Sequence, residues 1–248
     1  MPKDVSRASR DVSKHVHQNK KVDFTFNIRD LPWTSKQQQF IQLVQDKNTK
    51  CVMVKGPAGT AKSCLAVYTL LHLLLNKKIS DIIYIRPAVE SASKSLGHLP
   101  GDLSDKIGPY TVPFYDKLEE LLEQGVITRL IAENRLQTYA INYLRGCHFA
   151  VKGIIVDEAQ SATFHDLVTV ITRMGEFSKM LIVGDPNQSD LHNGNSHDFD
   201  KLCQMFDDEQ SREQGIHTFE FTSDDIVRSE FVKFVVKKLE ASGYQPNL

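Results

Sequence analysis

Four cysteines in 248 residues, Cys51, Cys64, Cys147 and Cys203, stand far apart and form no Cys-x-x-Cys pair. That spacing excludes a disulfide scaffold and a cysteine-rich zinc module, and it fits reduced, mostly buried thiols in a cytoplasmic protein. Long hydrophobic runs are also missing. The longest, Leu65 to Leu75, is interrupted by Thr69 and His72 and reaches about half the roughly 20 residues of a membrane span, so no membrane partner is expected. No apolar stretch follows the N-terminal charges, so no secretory leader is expected. Glycine and proline number 13 and 9, below their usual combined share of roughly 12%, which excludes collagen-like and low-complexity chains. A surplus of one charge is absent too: 30 Lys and Arg against 31 Asp and Glu leave −1. The whole-chain charge advertises neither nucleic acid nor membrane. The nine histidines lack metal-ligand spacing, and no zinc site is expected.

The chain divides unevenly. Residues 1–22 carry Lys3, Arg7, Arg10, Lys14, Lys20 and Lys21 against Asp4 and Asp11, a net +4 that leaves −5 for the rest. They show almost no apolar periodicity and read as a disordered basic arm. It is either a tail that touches nucleic acid or a solvated leader. Residues 23–248 read as a single domain. Short apolar runs at Cys51–Lys55, Ile82–Ile85, Phe149–Val156, Met180–Val183 and Ile216–Phe221 read as strands, most of them apolar throughout, as strands buried on both faces are. Helical spacing lies between them at Lys36–Asp46, Lys62–Asn76, Phe114–Gln124, Glu133–Leu144, Phe164–Arg173 and Arg228–Ser242. The acidic stretch Asp198–Glu213 reads as a helix followed by a surface loop. Strand–helix alternation predicts an α/β fold, a parallel sheet sandwiched between helices, with its site at the carboxyl ends of the strands.

Three strand ends carry chemistry. Gly56-Pro57-Ala58-Gly59-Thr60-Ala61-Lys62-Ser63 follows the first strand and opens a helix, the context a phosphate loop requires. Backbone N–H groups there cradle an anion, Lys62 reaches the β and γ phosphates, and the Ser63 hydroxyl binds Mg²⁺. The motif's second glycine is replaced by Ala61, which weakens the match where φ is positive or backbone meets ligand. Ile154-Ile155-Val156-Asp157-Glu158-Ala159-Gln160 is a motif in which a strand ends in two acids. Asp157 is the second Mg²⁺ residue and Glu158 is placed to orient or deprotonate water. An acid beside the metal residue favours water as acceptor, hence hydrolysis over phosphoryl transfer to a bound substrate. Gly184-Asp185-Pro186-Asn187-Gln188 ends a third strand. Gln188 both donates and accepts, so it is placed to sense the γ-phosphate and the attacking water together; an ordinary Asp-Pro-Asn turn is the alternative.

Taken together, these three segments resemble the ATPase core of the PhoH family, itself similar to the first RecA-like domain of superfamily 1 helicases. Tyr84-Ile85-Arg86-Pro87-Ala88-Val89-Glu90, Gly97-His98-Leu99-Pro100-Gly101-Asp102-Leu103, Tyr143-Leu144-Arg145-Gly146, Thr172-Arg173-Met174-Gly175 and Asp225-Ile226-Val227-Arg228 fit the same family in order and spacing. The resemblance spans roughly residues 31–241 and implies a P-loop NTPase that uses ATP and Mg²⁺. Within it, Thr34-Ser35-Lys36-Gln37 resembles the glutamine motif, with Gln37 reading the adenine edge; a polar helix face is the alternative. Arg228 is the expected cation at the γ-phosphate and Arg173 the second choice, from the same or another subunit.

One RecA-like domain completes such a composite site only with a neighbour, so a homo-oligomeric ring, a hexamer, is expected. Residues 90–115 mix Lys94, His98, Lys106, Tyr110, Phe114 and Tyr115 among loop formers. Basic and aromatic side chains together suit a single strand of RNA or DNA, helped by Arg145 and the arm; a packed connection with its aromatics in the core is the alternative. Two kinds of job follow: a motor that moves on single-stranded nucleic acid, or a nucleotide-gated binding switch without translocation. A small-molecule phosphotransferase is the weaker third.

Overall fold

The computed structural model describes residues 25–87, 103–144, 146–188 and 197–242, with backbone alone for 103–110, 143, 187 and 240. The basic arm and the segment containing Lys94 and His98 lie outside the described residues, as does Arg145.

Six strands pair side by side, all parallel, in the order β3-β2-β4-β5-β1-β6. They are β1 (Cys51–Lys55), β2 (Asp81–Arg86), β3 (Leu136–Ala140), β4 (Lys152–Val156), β5 (Lys179–Gly184) and β6 (Ile216–Glu220). The helices are α1 (Ser35–Gln45), α2 (Lys62–Leu75), α3 (Leu103–Leu121), α4 (Gln124–Ala132), α5 (Phe164–Ile171), α6 (Asp198–Met205), α7 (Glu209–Glu213) and α8 (Glu230–Ala241).

Successive strand residues point to opposite faces, and the apolar runs divide accordingly. Val52, Val54, Ile82, Tyr84, Ile155, Leu181 and Val183 join one core with side chains of α1 to α4. Cys51, Met53, Ile83, Ile85, Ile154, Val156, Met180 and Ile182 join the other with side chains of α5 and α6. A sheet covered on both faces needs apolar residues at every position, which is why these runs do not alternate. The sandwich expected from the sequence is the one observed. α2 is apolar nearly all round and buried from Cys64 to Leu71, as the central helix of its layer must be.

Four local expectations are corrected. Glu133–Leu144 is not a helix. Asn134 adopts φ +57° just after α4, and Leu136–Ala140 pairs with β2 along its whole length. As an edge strand it leaves Gln137, Thr138 and Tyr139 half-buried, so no continuous apolar run betrays it. Helix α3 begins at Leu103 rather than Phe114 and runs through Pro109 and Pro113, residues that normally break a helix. Asp198–Glu213 forms two helices, α6 and α7, instead of one and a loop. α8 starts at Glu230, with Ser229 as its cap: the Ser229 hydroxyl accepts from Val232 N at 3.2 Å. Arg228 therefore precedes the helix.

Phe114 is fully buried, its ring stacked on Tyr84 at 4.6 Å and 10°. Tyr115 packs half-buried against the same core. These two aromatics belong to the packed connection and are not free to stack on bases.

Candidate functional site

The carboxyl ends of β1, β4 and β5 register beside one another, Lys55 against Gly184 and Val156 against Ile182. That register brings three motifs to one edge of the sheet. A cleft of about 640 Å³ opens there. Its walls include Gln37, the phosphate-loop residues Ala58, Gly59, Ala61, Lys62 and Ser63, and Asp157, Glu158, Gln188 and Arg228, so all three motifs reach one cavity; Gly56, Pro57 and Thr60 of the expected site do not line it. Arg173 does not line it; this guanidinium bonds back to Thr169 O at 3.3 Å.

The loop's shape is set by backbone. Gly56 has φ +151°, and a Cβ there would sit 2.6 Å from Phe221 O, so only glycine fits. Ala61 lies at φ +63°, just before α2. It stands in the left-handed region that the motif's missing glycine would occupy freely, at a cost of roughly 1–2 kcal/mol for a residue with a Cβ. Val227 N donates to Gly59 O at 3.0 Å, tying the Arg228 turn to the loop.

Lys62 is buried at the first turn of α2 and donates to Gly56 O at 2.5 Å and Pro57 O at 2.8 Å. Burial lowers its pKa from the ordinary lysine value, opposed by the nearby Asp185, Asp157 and Glu158. Ser63 Oγ donates to Asp157 Oδ1 at 2.8 Å, across 94 positions of sequence. The other oxygen, Oδ2, accepts from the Tyr84 hydroxyl at 2.8 Å. Burial, and then the Asp157 charge, push the Tyr84 phenol well above its usual range, so it stays protonated and donating.

Glu158 sits at φ +55°. Gln160 Nε2 donates to its Oε2 at 2.6 Å, and Gln160 Oε1 accepts from Asp185 N at 3.0 Å. Arg86 approaches Oε1 at 3.4 Å. Gln37 is 1% exposed. Its Oε1 accepts from Thr34 N at 2.9 Å, closing a capping box on α1, and its Nε2 donates to Thr60 O at 3.3 Å. Tyr84, Arg86 and Gln160 are visible in the sequence only as parts of longer motifs, with no role attached. The polar ends of buried strands at Tyr84 and Arg86 are the signal available. Leu31, Pro32 and Trp33 form another wall that no motif marks.

Ser63 Oγ and Asp157 Oδ1 make a pair of hard oxygen donors, the kind Mg²⁺ takes when it keeps waters and substrate phosphates as its remaining ligands. Among the described residues no group of three or more His, Cys, Asp or Glu could hold a metal by itself, and no helix is long and apolar enough to cross a membrane. Cys51, Cys64 and Cys203 are buried free thiols and Cys147 is half-buried.

Fold and loop together define a RecA-like P-loop domain. The chain belongs to the PhoH-like family, whose description as "PhoH-like protein" matches residues 31–240. It is 36% identical over 205 residues to the PhoH-like protein of Mycobacterium tuberculosis H37Rv, covering 83% of this chain and 56% of that one. It is 37% identical over 191 residues to the PhoH-like protein of Bacillus subtilis, covering 77% and 58%. The chain thus spans little more than half the length of these relatives. Among solved structures, the large terminase of a thermophilic bacteriophage matches with a TM-score of 0.50 at 13% identity, over 84% of this chain and 50% of that one, a likeness of fold.

Proposed function

We propose that the protein is a Mg²⁺-dependent ATPase whose hydrolysis is coupled to single-stranded RNA or DNA as a cytoplasmic homo-oligomer. The observation that carries this reading is the 2.8 Å contact between Ser63 and Asp157. It joins the phosphate loop to the acidic strand end as the two protein oxygens of one metal site. Mg²⁺ bound there supplies positive charge to the β and γ phosphates.

The chain's own residues do the rest. Backbone N–H groups of Ala58 to Ser63 hold the phosphates at the N-terminus of α2. Lys62 exchanges the Gly56 and Pro57 carbonyls for phosphate oxygens. Glu158 accepts a proton from water as the water oxygen bonds to the γ-phosphorus and the bond to the β–γ bridging oxygen breaks, leaving ADP and phosphate. Gln188 hydrogen-bonds the water and the γ-phosphate. Arg228 neutralises charge that develops in the transition state, in its own subunit or a neighbour's. Arg173, outside the cleft of its own chain, could serve only across a subunit boundary. The Gln37 amide has two N–H donors and two lone pairs. Thr34 and Thr60 take one of each, and the remaining pair suits the adenine edge.

Steady-state hydrolysis with Mg²⁺, with and without single-stranded RNA, tests this in wild type, Lys62→Ala and Glu158→Gln. Hydrolysis lost in both variants and accelerated by RNA is the expected result, with strand displacement as the next assay. Lys62-dependent hydrolysis indifferent to RNA points to the switch without translocation. Normal hydrolysis by Glu158→Gln removes its role as base.

A further inference from the structure

Glu158 is held from two sides by residues of different character. Gln160, 3% exposed, grips Oε2 at 2.6 Å and is anchored by the backbone of Asp185, which leads into the turn carrying Gln188. That grip is short, directional and part-buried, and it keeps the carboxylate aimed. Arg86, at the end of β2, holds Oε1 through one nitrogen at 3.4 Å; the two side chains are 25% and 43% exposed. Such a pair is weak and easily exchanged, and a guanidinium met through a single nitrogen keeps further N–H donors for another oxyanion. Arg86 is not among the residues that line the cleft, while Glu158 is, so the guanidinium stands at the margin of the nucleotide pocket.

We infer that Arg86 is a brake on Glu158, and that a phosphodiester of a bound single strand releases it by taking the guanidinium. The inference rests on the hydrolysis reading above and names the regulation of that site. While Arg86 is paired with Oε1, its guanidinium takes up part of the space beside that oxygen that a water would need. Once a strand phosphate takes the guanidinium, Oε1 is open to the water's proton, and Gln160 still holds the carboxylate in place. Phosphate is the natural competitor, since a guanidinium forks onto phosphate as readily as onto carboxylate. Release then reports that a strand is present, without any movement of the phosphate loop.

The test is hydrolysis by wild type, Arg86→Gln, Arg86→Lys and Gln160→Ala, each with and without oligouridylate and, separately, polyglutamate. Arg86→Gln is expected to raise the strand-free rate roughly tenfold, a part of the roughly 10²–10⁴ that a positioned base supplies. That rate should match wild type saturated with oligouridylate, which then adds nothing further. Arg86→Lys should lie between, and stimulation of wild type should fade with added salt. Gln160→Ala should lower both rates, with no rescue by the strand. A strand-free rate that falls in Arg86→Gln makes Arg86 a support for Glu158 and overturns the brake. Unchanged basal rate and stimulation in that variant overturn it as well. Wild type stimulated by polyglutamate alone, or by neither polymer, overturns the strand as its release. Glu158→Gln separates the two readings: full activity there defeats the hydrolysis mechanism itself, whatever Arg86 does.

Discussion

The cleft has two unlike walls. Along one, Lys62, Ser63 and Asp157 are packed into the sheet, Asp157 held by Tyr84 from outside the cleft, and Lys62, Asp157 and Tyr84 are each nearly hidden from solvent. Their polar atoms satisfy one another: ammonium to loop carbonyls, hydroxyl to carboxylate, phenol to carboxylate. Along the other, Gln188 and Arg228 are exposed on short turns, and Val227 beside them is 49% exposed. A wall whose groups already pair is built before any ligand arrives, because unpaired buried polar atoms are costly. A wall of exposed side chains takes its geometry from what binds. Substitutions in the packed framework of the first wall, at Gly56, Ala61 and Tyr84, should therefore register as stability, and substitutions on the second as rate.

Arg228→Ala gives the largest contrast. Its hydrolysis is expected to fall about 10³-fold, the lower range for a cation at the γ-phosphate. Its unfolding free energy by urea titration should stay within about 0.5 kcal/mol of wild type, as for other surface changes. Mixing it with Lys62→Ala restores activity if the arginine acts across subunits and restores none if it acts at home. Gly56→Ala moves the other wall. The 2.6 Å approach to Phe221 O and the φ of +151° together should cost about 3 kcal/mol in unfolding free energy. Tyr84→Phe removes one donor from the buried Asp157, for about 1–3 kcal/mol by denaturant titration. A variant as stable as wild type would show that Asp157 does not depend on it. Ala61→Gly is the smallest and carries the opposite sign. Relief of left-handed strain outweighs the added freedom of the unfolded chain, so stability in the same titration should rise by about 0.5–1 kcal/mol. Loss of stability there would mean that the alanine methyl contributes packing.

The same division explains how much of the molecule is legible in its amino-acid order. The four central strands and α2 are legible because burial on both faces forces unbroken apolar runs. The phosphate loop and Asp157-Glu158 are legible because their chemistry fixes residue types at fixed offsets after a strand. β3 is not, since an edge strand with Gln137, Thr138 and Tyr139 half-buried carries no such run. α3 is hidden by Pro109 and Pro113, residues whose local preference is against a helix interior. Within the site, the second grip on Asp157 escapes a reading of the sequence because Tyr84 looks like one more apolar strand residue; only the register of β2 against β4 shows its hydroxyl reaching the carboxylate. Gln160 likewise looks like part of a motif until its two ends are seen bonding Glu158 and Asp185.

The floor of the phosphate loop comes from far along the chain. Phe221 N donates to Lys55 O at 2.8 Å, Gly56 lies against Phe221, and Val227 N meets Gly59 O. On a ribosome making about 5–20 residues per second, the stretch from Gly56 to Phe221 takes roughly ten to thirty seconds. A nascent chain thus carries the loop's letters long before it carries the loop's shape. The edge strand β6 is the piece that closes it, so the ability to hold a nucleotide arrives late in synthesis, after most of the sheet has already been made.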